Sequence, residues 1–341
     1  MKCDEDAMGI IRFRYSLIND SIFIAAGGGK TMALYQSMKE LVGETPLVRL
    51  THQDMPDGVN IYAKLELYNP SGSVKDRTAQ AMLARAEAED RIRPGGAIVE
   101  ATAGNTGLGI AFAALNKGYR VCFVVPAHFS REKQTLMRAL GAEVVNTPRE
   151  EGMLGAERKA RELIASIPGA ISLEQFHNLA NPQAHYDATG PEIWRDLDGK
   201  VNFLVAGAGS GGTYAGIVRY LKEKDPRITG VLADPEGSTM GGGASGDYDI
   251  DGIGNDFIPD TMDMRLVDRV VKVTDAEAFA QARLLARTEG IFAGLSSGAA
   301  LAAAKTLALS GARGNVVAVF PDRGERYFSK GLYDEEATTW L

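Results

Sequence analysis

The chain has 341 residues, 45% of them hydrophobic, 24% charged and 7% aromatic, which is enough apolar side chain for two domains without a disulfide or structural metal. A net charge of −7 with well-mixed acidic and basic residues argues against nucleic acid as the main partner, because phosphate backbones select clustered Lys and Arg. No apolar run approaches the roughly 18 residues of a membrane span, and Cys3 and Cys122 show no pairing pattern, so a cytoplasmic protein is expected.

At the N-terminus, Asp4, Glu5 and Asp6 stand where a secretory signal carries positive charge. Gly27-Gly28-Gly29-Lys30-Thr31 looks like a phosphate loop, but that pattern needs a glycine where Ile24 stands. The stretch from Ile11 to Ile24 alternates like a strand and reads as an arm, or as an extension ahead of a start at Met32. Residues 1–31 are therefore set apart as an extension without an assigned role.

From Leu47 onward, short β-branched runs alternate with longer amphipathic segments. Strands are predicted at 61–67, 97–100, 121–125 and 144–146, with helices at 79–90, 107–117, 131–140 and 155–166 between and after them. After Asn181 come a helix at 190–197, a strand at 203–206, a helix at 213–224 and a strand at 228–233. Helices at 275–289 and 298–309 and a strand at 315–320 complete the series. Cys122 lies in an apolar strand and reads as a buried residue rather than a nucleophile. Alternation of this kind implies α/β architecture with mostly parallel sheets, whose ligands bind beyond the carboxyl ends of the strands.

Three of the strand-to-helix turns are unusual. Asn69-Pro70-Ser71-Gly72-Ser73-Val74-Lys75 brings a lysine to a helix start, where the positive helix end lowers the amine pKa and favours a neutral nucleophile; a plain surface lysine is the alternative. Thr102-Ala103-Gly104-Asn105-Thr106 offers donors at a helix N-terminus that suit a carboxylate, or simply cap the helix. Gly207-Ala208-Gly209-Ser210-Gly211-Gly212-Thr213 suits a phosphate. It also spells the dinucleotide fingerprint, and Asp234 follows at about the spacing of the acidic residue in that motif.

In this order and spacing the three turns resemble those of the fold-type II pyridoxal-phosphate enzymes, most closely the cysteine synthase and cystathionine β-synthase family. Further matches are Glu44-Thr45-Pro46-Leu47, Gly190-Pro191-Glu192-Ile193-Trp194, Gly252-Ile253-Gly254, Phe257-Ile258-Pro259, Gly294-Leu295-Ser296-Ser297-Gly298 and Gly324-Glu325-Arg326-Tyr327. The resemblance runs to about Tyr333. It implies two three-layer α/β domains with the cofactor in the cleft between them. The larger domain would combine residues 32–78 and 184–341, and residues 79–183 would form a smaller, mobile domain that closes over the substrate. The family is usually dimeric, so a homodimer is implied.

The same resemblance implies the roles of individual residues. Lys75 would hold pyridoxal phosphate as a Schiff base and then move protons. Asn105 would bond the cofactor's ring hydroxyl oxygen, and Gly209, Ser210, Gly211, Gly212 and Thr213 would cradle its phosphate. Ser297 would face the pyridine nitrogen. A hydroxyl there makes a weaker electron sink than a carboxylate, which suits β-elimination over transamination; Ser297 also reads as the N-cap of the helix at 298–309. Thr102, Gly104, Asn105, Thr106 and Gln175 would take the substrate α-carboxylate, with Gly254 also at the substrate. Ala103 departs from the Ser that many cysteine synthases carry.

The implied reaction is β-replacement through an aminoacrylate, with O-acetylserine or serine as the amino-acid donor. Sulfide as acceptor gives cysteine, the first reading, and homocysteine gives cystathionine, the second. Glu236 and Ser238 could meet the amino-acid end of homocysteine, or belong to a mobile loop. A dehydrogenase using Gly207–Gly212 is the competing enzyme class, and a retired relative acting as a binding protein is the third. His52, His128, His177 and His185 lack metal-ligand spacing, so no metal is expected.

Overall fold

The computed structural model describes residues 34–334 in full, together with the backbone of β1 (Tyr15–Ile18), β2 (Ser21–Ala26) and β3 (Lys30–Ala33). These strands pair antiparallel in the order β1-β2-β3, within a unit that ends at Leu41. Ile11, residues 4–6, Cys3 and the Gly27–Gly29 loop lie outside the described residues.

The second unit starts at Val42 and contains β4 (Leu47–Arg49), β5 (Val59–Leu65) and α1 (Lys75–Ala88). Next come β6 (Ala97–Ala101), α2 (Asn105–Ala114), β7 (Arg120–Pro126), α3 (Arg131–Ala139), β8 (Glu143–Thr147), α4 (Gly152–Ser166) and β9 (Ala170–Ile171). Helix α5 (Ala180–Ala184) passes through a π turn at His185–Thr189 into α6 (Gly190–Asp196). The chain then runs through β10 (Phe203–Gly207), α7 (Gly212–Lys224), β11 (Thr229–Pro235) and β12 (Arg269–Val273). It continues through α8 (Asp275–Glu289), α9 (Leu295–Leu309) and β13 (Gly314–Phe320).

Two sheets carry the unit. One has six strands in the order β12-β11-β10-β13-β5-β4, all parallel except the edge strand β4. The other has four parallel strands in the order β8-β7-β6-β9. Parallel strands covered on both faces need apolar residues at nearly every position. Accordingly Val205, Val231, Ala318 and Phe320 pack with the buried helix α9, whose Ala-rich sequence is apolar on almost every side. Ile98, Phe123 and Val125 pack with Met82, Leu83 and Ile110. Cys122 is buried on β7, as its apolar run predicted.

Element ends differ from the sequence reading chiefly where polar or small residues begin helices. Helix α1 starts at Lys75 rather than Ala79, α2 at Asn105 rather than Gly107, and α9 at Leu295 rather than Gly298. The last shift corrects the capping role of Ser297: the cap is Gly294, and Ser297 sits inside the first turn. Strand β12 was not predicted, because Arg269 and Lys272 interrupt its apolar run.

In the six-stranded sheet the chain leaves β10 toward β11 on one side, while β13 lies on the other. Such a reversal opens a crevice at the carboxyl ends of the strands. The turns after β5, β10 and β13 all open onto that edge.

Candidate active site

Lys75 is the first residue of α1 and is partly buried. Burial pushes its amine down to about 8, against the opposing pull of the Asp322 carboxylate. The cause differs from the helix-end effect expected from sequence. At that value about a tenth of the amine is neutral at pH 7, far more than for an ordinary lysine. The amine lines a cleft of about 360 Å³ with Val74, Gly207–Gly211, Thr213, Ile253 and Pro321.

The loop between β10 and α7 has the shape of an anion cradle. Gly211 has φ 81°, and a Cβ there would overlap Met262. A Cβ on Gly209 would overlap the Gly252 carbonyl, and one on Gly212 the side chain of Asn181. Asn181 Nδ2 donates to Ser210 Oγ (2.9 Å) and to the Gln175 carbonyl (2.8 Å). His185 Nε2 lies 3.1 Å from Thr213 Oγ1 and 3.3 Å from Thr78 Oγ1. Burial, despite the nearby Glu66 carboxylate, pushes His185 down to about 3, so a neutral ring supports the loop. Neither Asn181 nor His185 carries a signal in the sequence; the π turn and α5 bring them here.

The carboxyl end of β6 places Thr102, Gly104, Asn105 and Thr106 in one turn, where Thr106 Oγ1 donates to Gln175 Oε1 at 2.6 Å. Asn105 Nδ2 donates to Asp322 Oδ2 at 2.7 Å, which ties this turn to the one after β13. Gly254, at φ 82°, donates its N–H to the Ala208 carbonyl at 2.8 Å and so braces the glycine loop. Ser297 is fully buried and its hydroxyl has no hydrogen-bond partner within the protein. A buried hydroxyl in that state carries a desolvation cost unless a ligand satisfies it.

The proposed acceptor residues are not brought to the cleft. Ser238 is fully buried: it donates to the Asn255 carbonyl (3.1 Å) and accepts from the N–H groups of Asn255 (3.1 Å) and Met240 (3.3 Å). Its bonding capacity is spent on the loop that holds Gly254, so a direct contact with an acceptor substrate is ruled out. Glu236 is exposed and does not line the cleft. Asp234 is buried, its Oδ2 is bonded to Lys272 Nζ (2.5 Å) and Gly241 N (3.0 Å), and it does not line the cleft, which counts against a dinucleotide site.

Beneath the lysine lies a buried ion cluster that the sequence did not announce. Arg77, two residues beyond Lys75, donates to Glu66 (2.7 and 2.9 Å) and to Glu192 (2.7 and 2.7 Å). Lys64 Nζ donates to Glu192 at 2.6 Å, and Thr45 Oγ1 to Glu66 at 2.7 Å. Burial alone would raise Glu66, but Arg77, Lys64 and Thr45 outweigh it and hold the carboxyl at about 2.

Among the described residues no helix is long and apolar enough to cross a membrane. The family model described as "Pyridoxal-phosphate dependent enzyme" matches residues 38–322. The O-acetylserine dependent cystathionine beta-synthase of Bacillus subtilis (strain 168) is 47% identical over 304 residues, covering 89% of this chain and 99% of that protein. A cysteine synthase of Helicobacter pylori (strain ATCC 700392 / 26695) is 44% identical over 305 residues, covering 89% and 100%. Among solved structures, an O-acetylserine dependent cystathionine beta-synthase from Helicobacter pylori superposes with TM-score 0.84 at 43% identity, covering 89% of this chain and 100% of that one. A cysteine synthase from Entamoeba histolytica superposes with TM-score 0.86 at 36% identity, covering 92% and 95%. The buried lysine, the glycine cradle and the two-sheet α/β fold are those of a known group: this chain belongs to the pyridoxal-phosphate dependent enzymes.

Proposed function

We propose that the chain replaces the β-substituent of O-acetylserine with sulfide, giving cysteine and acetate, as a cysteine synthase. The observation that carries this reading is the lowered amine of Lys75 in one cleft with the glycine loop of residues 207–213, in a chain of this family. The residues present fit pyridoxal phosphate. A primary amine would meet its aldehyde, a glycine-rich loop at a helix N-terminus would meet its phosphate, and the unpaired Ser297 hydroxyl would meet its ring nitrogen. When bound, the cofactor supplies the electron sink for charge released at the amino acid's α-carbon.

The chain's own residues do the rest. Lys75 Nζ, close enough to neutral to accept a proton, takes it from the α-carbon and later returns one. Gly209, Ser210, Gly211, Gly212 and Thr213 hold the phosphate. Asn105 donates to the ring oxygen. Thr102, Gly104, Thr106 and Gln175 bind the α-carboxylate at the positive end of α2, with Gly254 also at the substrate. Residues 79–183 act as the moving part that closes over the substrate and excludes water. The working protein is a cytoplasmic homodimer.

A second reading, with homocysteine as acceptor, draws support from relatives named O-acetylserine dependent cystathionine beta-synthase. It leaves the contact to the amino group of homocysteine unassigned, because Glu236 does not line the cleft and the Ser238 hydroxyl is fully bonded. The test offers the cofactor-loaded protein O-acetylserine or serine, each with sulfide or homocysteine, and quantifies the products. Cysteine as main product is the expected result. Mainly cystathionine would replace the first reading by the second, and neither product would overturn β-replacement altogether.

A further inference from the structure

The Gly324-Glu325-Arg326-Tyr327 motif has no part in the reaction described above, yet it reaches the site through Asp322 and Arg326. Both residues are buried, Asp322 at 1% and Arg326 at 6% exposure. Asp322 Oδ2 accepts from Asn105 Nδ2 (2.7 Å) and from Tyr327 Oη (2.6 Å). On the other side of the same amide, Arg326 donates to Asn105 Oδ1 and, with its second terminal nitrogen, to the Ser71 carbonyl. The segment that presents these groups is itself pinned. Asp322 is bridged to Ser73, its carbonyl accepts from Gly294 N (3.0 Å), and the Lys133 ammonium covers the Tyr327 ring at 4.5 Å. The approach is so close that a Cβ on Gly294 would overlap Asp322 Oδ1, and one on Gly72 would crowd Arg326.

An amide side chain has two near-equivalent orientations, and only its partners choose between them. A carboxylate accepts and a guanidinium only donates, so this pair admits one orientation of Asn105. We propose that Asp322 is a positioning residue that, with Arg326, locks the Asn105 amide so that a single Nδ2 hydrogen remains for the ring oxygen of the cofactor. The inference rests on the role given to Asn105 above. In an unclamped site the amide would rotate or flip, and the cofactor ring would lose its fixed tilt. The Asp322 carboxylate is also near enough to oppose the lowering of the Lys75 amine.

The experiment compares Asn105→Ala, Asp322→Ala, Asp322→Asn and the double variant Asn105→Ala/Asp322→Ala. It reads retention of pyridoxal phosphate and the visible circular dichroism that a protein-held ring acquires, neither of which needs turnover. Removing a buried charge-assisted hydrogen bond predicts about tenfold weaker retention for Asn105→Ala and for Asp322→Ala. The losses should not multiply, because the two side chains act as one unit. Asp322→Asn, isosteric and still able to accept from Asn105 and Tyr327, should stay within about twofold of the unaltered protein. Normal retention and dichroism in Asp322→Ala beside an impaired Asn105→Ala would overturn the clamp. So would multiplying losses, or an Asp322→Asn variant as impaired as the alanine one. An unimpaired Asn105→Ala would instead remove the role of Asn105, a distinct result.

Discussion

Replacing Arg77 with methionine keeps much of the side chain's volume and removes its charge from the buried cluster beneath Lys75. Glu66, Glu192 and Lys64 would remain, all buried, so two carboxylates would face one ammonium. Breaking a buried pair by removing one partner leaves an uncompensated charge and costs roughly 3–5 kcal/mol. The pH dependence gives the argument a second handle. In the intact protein Glu66 is held at about 2, below its ordinary 4.5, so its ion pairing stabilises the fold above pH ~4.5 by about 3 kcal/mol and that stability is lost as pH falls toward 2. Without Arg77, burial dominates and the cluster binds a proton more readily than the unfolded chain does. The deficit of the variant should then shrink as pH falls from 7.5 to 5.5. Urea unfolding of both proteins at those two pH values measures this directly. A variant within about 1 kcal/mol of the original at pH 7.5, or one whose deficit grows on acidification, would refute the reasoning.

Three further outcomes follow from the site. Lys75→Met removes an amine that burial holds at about 8 instead of 10.5; the unfolded chain binds that proton more tightly, so the variant apoprotein should be more stable below pH ~8 by about 1–3 kcal/mol, with the gain fading by pH ~10.5, while covalent cofactor attachment is lost in the mass spectrum. Ser297→Ala removes a buried hydroxyl without a partner and should leave apoprotein stability unchanged or raised by up to ~1 kcal/mol, while turnover falls; a loss above 2 kcal/mol on thermal unfolding would contradict this. Gly211→Ala introduces a Cβ against Met262 at φ 81°, and should cut cofactor retention in equilibrium dialysis with a destabilisation of about 1–3 kcal/mol.

Local chemistry was readable in the chain because it is written in contiguous turns. The glycines at 207, 209, 211 and 212, the lysine at 75 and the Thr102–Thr106 turn each sit between an apolar run and a helix, where strand and helix periodicity alone mark the carboxyl end of a strand. Family resemblance joined those turns into one site, and the order of the parallel strands brings them to one edge. What periodicity missed were helix starts whose first turns are mostly polar or small residues, as at Lys75, Asn105 and the Ser296-Ser297-Gly298 run after Leu295, since too little apolar side chain marks those turns. Only the tertiary structure decided which polar residues are buried together. Glu66, Arg77 and Glu192 lie in ordinary charged positions of the sequence and become one cluster because β5, α1 and α6 converge. Ser238 looked available to a substrate until the fold surrounded its hydroxyl with the Asn255 backbone, and Asp322, which carried no signal in the sequence, is brought to Asn105 by β13. Such contacts span 217 residues of chain between Asn105 and Asp322 and 255 between Ser71 and Arg326. Sequence spacing carries no information about them, because burial and hydrogen-bond partners at that range are set by the packing of whole elements.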